Sequence, residues 1–153
     1  MRTIALDFDG VIHSYASGWK GHTNIPDPPV EGAFEFILRL LDSSEWEVVV
    51  HTTRLQHHNA GEALVRWFIQ HGFPPARLSD DAVYHPDYRE ATYVSPRDQL
   101  QDEFPTLGTS ASKLWFSATK PSAFVTLDDR ALTFTGVWPD PAALAGFKTW
   151  QQR

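Results

Sequence analysis

The chain has 153 residues, 42% hydrophobic and 13% aromatic, which suits one packed domain and excludes wholesale disorder. Its 13 Lys and Arg against 19 Asp and Glu leave a formal net charge of −6, which disfavours binding to long nucleic-acid tracts or anionic membranes. It holds no cysteine, so disulfides, thiolate nucleophiles and Cys-ligated metals are excluded.

Residues 3–8 form an apolar run with β-branched members, halted by Asp9-Gly10, as in a buried strand. Residues 13–29 carry Gly18, Gly21, Pro26, Pro28 and Pro29 and are too punctuated for regular structure. From Gly32, Phe34, Ile37, Leu38 and Leu41 recur at helical spacing until Asp42-Ser43-Ser44. Residues 47–51 read as a second buried strand that closes in Thr52-Thr53-Arg54, and residues 60–71 as a helix stopped by Gly72. Residues 73–112, broken by Pro74-Pro75, Pro86, Pro96 and Pro105, are too long for a plain connection and read as an atypical insert with its own role. Strands are expected at 114–117 and 123–127, the second ending in Asp128-Asp129, with a short edge strand at 133–135. Asp140-Pro141 has the order of an N-cap followed by proline at N1, opening a helix expected to run through Trp150. No apolar run approaches the ~20 residues of a membrane span. Asp7 interrupts the N-terminal apolar stretch too early for a secretory signal, so a cytoplasmic protein with no membrane partner is expected.

Apolar strands alternating with amphipathic helices predict a single α/β domain, a three-layer α/β/α Rossmann-like parallel sheet. Ligands of such sheets gather beyond the carboxyl ends of the strands, and that is where the polar clusters fall. Asp7 and Asp9, two apart in an extended segment, share a face. With Asp128 and Asp129 ending another strand, they concentrate negative charge that a hard divalent cation with oxygen ligands, Mg2+ above all, would balance. Thr52, Thr53 and Arg54 supply donors suited to phosphate oxygens, and Lys120 adds an ammonium between the third and fourth strands.

Asp7-Phe8-Asp9-Gly10-Val11, Thr52, Lys120 and Asp128-Asp129, in this order, resemble the four motifs of the haloacid dehalogenase (HAD) superfamily. The stretch from Thr119-Lys120-Pro121 to Asp128-Asp129-Arg130-Ala131 is similar to small, capless HAD-like hydrolases of phage and bacterial type. Gly18-Trp19-Lys20-Gly21 and Ile25-Pro26-Asp27-Pro28-Pro29 add to the likeness. The resemblance implies a nucleophilic Asp7 that forms an aspartyl-phosphate and a general acid and base at Asp9, whose main-chain carbonyl also reaches the cation. It further implies a phosphoryl-binding Thr52, a stabilising Lys120, Asp128 as a metal ligand, and Asp129 as a second ligand or an orienter. Gly10, Thr53, Arg54 and Trp19 are the expected substrate contacts, Arg54 being equally suited to a local carboxylate. The loop over 10–31 is too short for a full cap domain, so the open site suits a large phosphorylated substrate: a nucleotide, a nucleic-acid end or another phosphorylated molecule.

Other features have blander readings. His51, His57 and His58 lack the spacing of a metal cluster, Arg130 reads as structural, and Tyr84, Tyr88 and Tyr93 read as packing of the insert. Two alternatives use the same residues: phosphoryl transfer to an acceptor other than water, and a non-catalytic Mg2+- and phosphate-binding signalling domain. Receiver domains place their residues in a different chain order, and a domain that only binds has no need of Asp9.

Overall fold

A computed structural model of the chain describes residues 1–57, 59–80 and 96–153. Four strands, β1 (Arg2–Asp7), β2 (Trp46–His51), β3 (Leu114–Ser117) and β4 (Val125–Leu127), form one sheet in the order β3-β2-β1-β4, every pairing parallel. Helix α1 (Ala33–Asp42) joins β1 to β2, and α2 (Ala60–Gln70) lies between β2 and β3. This is the Rossmann-like α/β sheet that the alternation of patterns predicts.

Two right-handed crossovers stepping the same way along the sheet place α1 and α2 on the same face, and the packing agrees. Phe34 of α1 stacks on Phe68 of α2 with centroids 5.4 Å apart, and Phe68 also meets Phe8, Trp67, Phe73 and Phe116. The alternating buried positions Ile4, Leu6, Val48 and Val50 close the core from the sheet side. Each fully buried Phe or Leu here stabilises the fold by about 1.5–3 kcal/mol. Helix α2 stops where expected: Gly72 takes φ 96°, a left-handed conformation that ends a helix at little steric cost only for glycine.

The described parts of the 73–112 stretch belong to this core. Leu78 bridges to Leu114 of β3, and Leu78, Leu100 and Leu107 are buried in the main cluster. A short helix α3 (Pro96–Leu100), absent from the sequence reading, lies against α2, next to an ion pair of Arg66 with Glu103.

The C-terminal region departs from expectation. Residues 133–135 make no strand, and β4, paired only with β1, stands at the edge of the sheet. The Asp140 cap forms, its Oδ1 accepting the Ala142 N–H at 3.0 Å, but helix α4 (Pro141–Leu144) lasts one turn. None of its residues is buried, so no packed face supports propagation beyond it. A 3-10 turn at Trp150–Gln152 docks instead, with Trp150 Nε1 donating to the Gly10 carbonyl at 2.7 Å and the Gln151 amide donating to the Ser14 carbonyl. No helix of the described residues is long and apolar enough to cross a membrane.

Candidate active site

Strand register assembles the acidic centre. Asp7 is the last residue of β1, and the pairing of Leu6 with Leu127 carries Asp128 past the end of β4, beside it. Asp7, Asp128 and Asp129 each bring an oxygen within 4.8 Å of the others. Among the described residues this is the only group of three that could hold a metal. Gly10 is what lets Asp129 in. It takes φ +89°, and a Cβ there would lie 2.2 Å from Asp129 Oδ2. This chain therefore uses Gly10 for close approach, whatever it also offers a substrate.

The cluster is electrostatically unbalanced. Two like charges at this separation repel by about 3 kcal/mol at an effective dielectric of ~20. Burial, then the charge of Asp128, then the hydrogen bond and charge of Asp129 push the Asp7 carboxyl up to about 8. The Asp129 side chain is only 2% exposed, and its Oδ1 has no hydrogen-bond partner. A buried anionic oxygen without a partner is costly, and a hard cation is the natural one. Ligands about 2.1 Å from one Mg2+ lie roughly 3 Å apart at right angles and 4.2 Å apart across it. Three carboxylates with oxygens gathered within 4.8 Å of one another are placed to share such an ion once they draw in around it.

Asp9 lines the same cleft but is not one of the trio, its side chain being held by other partners. Arg54 grips both carboxylate oxygens, Nε to Oδ2 at 2.8 Å and Nη2 to Oδ1 at 3.0 Å, and His13 Nδ1 reaches Oδ1 at 2.8 Å. The Asp27 N–H donates to His13 Nε2, leaving Nδ1 to carry the proton towards Asp9. Burial alone would raise the Asp9 carboxyl, but these bonds and charges prevail and hold it below the ordinary carboxylate value. Of the four aspartates expected around the cation, three bring their side chains together; Asp9 leaves only its main chain for that part.

Arg54 settles on the second of its two expected roles. It is 1% exposed, and its Nη1 is taken by the carbonyls of Gly21, His22 and Asn24. With Nε and Nη2 on Asp9, the guanidinium ties that carboxylate to the 13–29 loop. Trp19, 49% exposed, lies over that guanidinium at 4.5 Å and against His22. His57 stacks on His22, away from any metal cluster. Thr52 caps the 3-10 turn at Thr53–Gln56, its Oγ1 accepting the Arg54 N–H at 3.3 Å, which leaves its own hydroxyl proton to donate elsewhere.

The cleft, about 350 Å³, is floored by Asp7, Asp9 and Asp128 and flanked by Thr52 and Thr53. Tyr15, His51 and Arg130 complete its walls. Burial lowers His51, and Lys120 lowers it further against the opposing pull of Asp128. Lys120 is exposed and touches the site through this electrostatic influence. Neither Tyr15 nor His13 stands out in the sequence; Arg130, expected to be structural, lines the cleft with its Nε 3.9 Å from Asp129 Oδ2. The four-residue spacing of His13 from Asp9 was the one signal for it; nothing marked Tyr15. His58, Tyr84, Tyr88 and Tyr93 lie outside the described residues.

A family model described as "HAD domain in Swiss Army Knife RNA repair proteins" matches residues 3–146. No curated protein and no solved structure matches the chain.

Proposed function

The chain belongs to the family of HAD domains in Swiss Army Knife RNA repair proteins, and from that premise we propose that it is a Mg2+-dependent phosphomonoester hydrolase working through an aspartyl-phosphate on Asp7. The observation that carries this reading is the convergence of Asp7, Asp128 and Asp129 within 4.8 Å, one buried Asp129 oxygen still lacking a partner. Those three side chains, with the Asp9 carbonyl, would hold the ion. When bound it supplies positive charge against the phosphoryl oxygens and keeps Asp7 ionised.

In this mechanism an Asp7 carboxylate oxygen attacks phosphorus and the ester P–O bond breaks. The leaving oxygen takes a proton from Asp9 or, where it is stable as an anion, departs without one. Water then attacks phosphorus, giving its proton to the Asp9 carboxylate. The Asp7–phosphorus bond breaks, releasing inorganic phosphate. The grip of Arg54 and His13 presets Asp9 for this second step, because the ionised form is the one that accepts a proton. The same grip disfavours the protonated form, so the first step is expected to favour good leaving groups. Thr52 offers its hydroxyl to a phosphoryl oxygen, Thr53 lines the same wall, and Lys120 adds positive charge from an exposed position.

The family description supports a phosphorylated RNA end as the substrate class, and a cleft with no cap over it among the described residues suits the end of a large molecule. The test is phosphate release from 4-nitrophenyl phosphate and from 3′- and 5′-phosphorylated RNA oligonucleotides in Mg2+. Release should vanish in EDTA and in Asp7→Asn. No release from any of these substrates would refute the hydrolase, and transfer of the phosphoryl group to an added alcohol in place of water would favour the phosphotransferase.

A further inference from the structure

Tyr15 sits on the wall of the acidic cleft with its backbone at φ 59°. Among the described non-glycine residues only Tyr15 and Asn59 take a positive φ. Asn adopts that region readily, whereas a bulky side chain is strained in it. The surrounding contacts force the turn. On one side His13 is buried and bridged to Pro29, and Ser14 donates its N–H to the Pro28 carbonyl at 2.9 Å. On the other, Ser17 gives both its N–H and its hydroxyl to Asp27. The chain reverses between these anchors, and the Gly18 N–H closes on the Tyr15 carbonyl at 3.1 Å.

Glycine or asparagine would make this reversal without strain. What tyrosine adds is a half-buried ring at the cleft, its described ring contact being an edge approach to His13 with centroids 5.9 Å apart. Arg130 lines the same cleft, 64% exposed, with Nε 3.9 Å from Asp129 Oδ2, beyond hydrogen-bond length. An aromatic face and a loosely held guanidinium beside a phosphate-binding centre match the parts of a nucleotide chain.

We propose that Tyr15 is a specificity-determining residue that stacks on the terminal base of a single-stranded nucleic-acid end whose phosphate occupies the cleft, while Arg130 meets the neighbouring phosphodiester. The proposal rests on reading the cleft as a phosphomonoester site. A single strand is favoured because its terminal base is unpaired and free to turn onto the ring, whereas the terminal base of a duplex is held by its pairing and by stacking on its inner face. With a net charge of −6 the chain offers no long basic track, so the grip is confined to the end.

Binding tests this without turnover. Asp7→Asn protein in Mg2+ is titrated against fluorescent single-stranded RNA phosphorylated at the 3′ or the 5′ end, a blunt duplex of the same sequence, and a phosphotyrosyl peptide. One base–aromatic stack corresponds to roughly fivefold to 150-fold in affinity. Adding Tyr15→Asn should therefore weaken single-strand binding at least about fivefold while holding or raising the melting temperature, and Tyr15→Phe should keep the affinity. The dependence of log Kd on log salt should be shallow, and Arg130→Gln should reduce its slope by about 0.7. Unchanged affinity in Tyr15→Asn, equal or tighter binding of the duplex or the peptide, or no single-strand binding at all would overturn the proposal. Expected binding by the Asp7→Asn protein, with no phosphate released from the same RNA by the wild-type protein, would sink the hydrolase reading alone.

Discussion

Replacing Arg54 with methionine isolates the contact that joins the loop to Asp9. The guanidinium is 1% exposed, doubly bonded to a carboxylate that is 20% exposed, and hydrogen-bonded to three loop carbonyls. Removing one member of a buried ion pair costs about 3–5 kcal/mol, since the partner charge is left uncompensated. Asp9 keeps its His13 bond and some solvent, which places the expected loss near the lower end, about 3 kcal/mol. For a domain of this size that is a fall in Tm of roughly 6–12 °C. Urea unfolding of the wild type, Arg54→Met, Asp9→Asn and the double variant closes a cycle whose coupling should exceed about 1.5 kcal/mol. The acid limb supplies a second readout. Asp9 is depressed in the fold, so its stabilisation is present above the ordinary carboxylate value and disappears as pH falls through the lowered one. Arg54→Met should flatten that limb. A loss below about 1 kcal/mol with an unchanged acid limb would refute the view that this pair orders the loop.

Gly10→Ala would set a methyl group 2.2 Å from Asp129 Oδ2 at φ +89°, so Asp129 must withdraw. Mg2+ affinity should drop at least tenfold by calorimetry, and unchanged affinity would show that Asp129 is dispensable. In chelator, stability should fall as pH rises from about 4 to about 8, because folded Asp7, raised to about 8, binds a proton that the unfolded chain has lost. Added Mg2+ should raise Tm most at the alkaline end of that window. A chelated protein whose Tm rises steadily across it would contradict the unbalanced cluster.

The parts of the site carried by strands were legible in the sequence, because a parallel sheet converts remote strand ends into neighbours. Asp7, Thr52 and Asp128 needed only three apolar runs and the rule that ligands gather at their carboxyl ends. Helices α1 and α2 were equally readable from Phe34, Ile37 and Leu41 and from Leu64, Val65 and Phe68. The loop over 13–29 was not readable, since no periodicity encodes how it returns over Asp9. The buried His13, the choice of Arg54 for a carboxylate and the strained Tyr15 all follow from that return. The overlong helix after Asp140 and the expected strand at 133–135 share one cause: their local signals were present, but no buried face or strand partner supports them.

Calorimetric titration of Mg2+ at neutral pH, repeated in buffers of different ionisation enthalpy, tests the acidic centre most directly. One site should appear in the wild type, with release of close to one proton as the ion displaces it from Asp7, and should be lost in Asp128→Ala/Asp129→Ala. Undiminished binding in that double variant, or no binding by the wild type, would contradict the account.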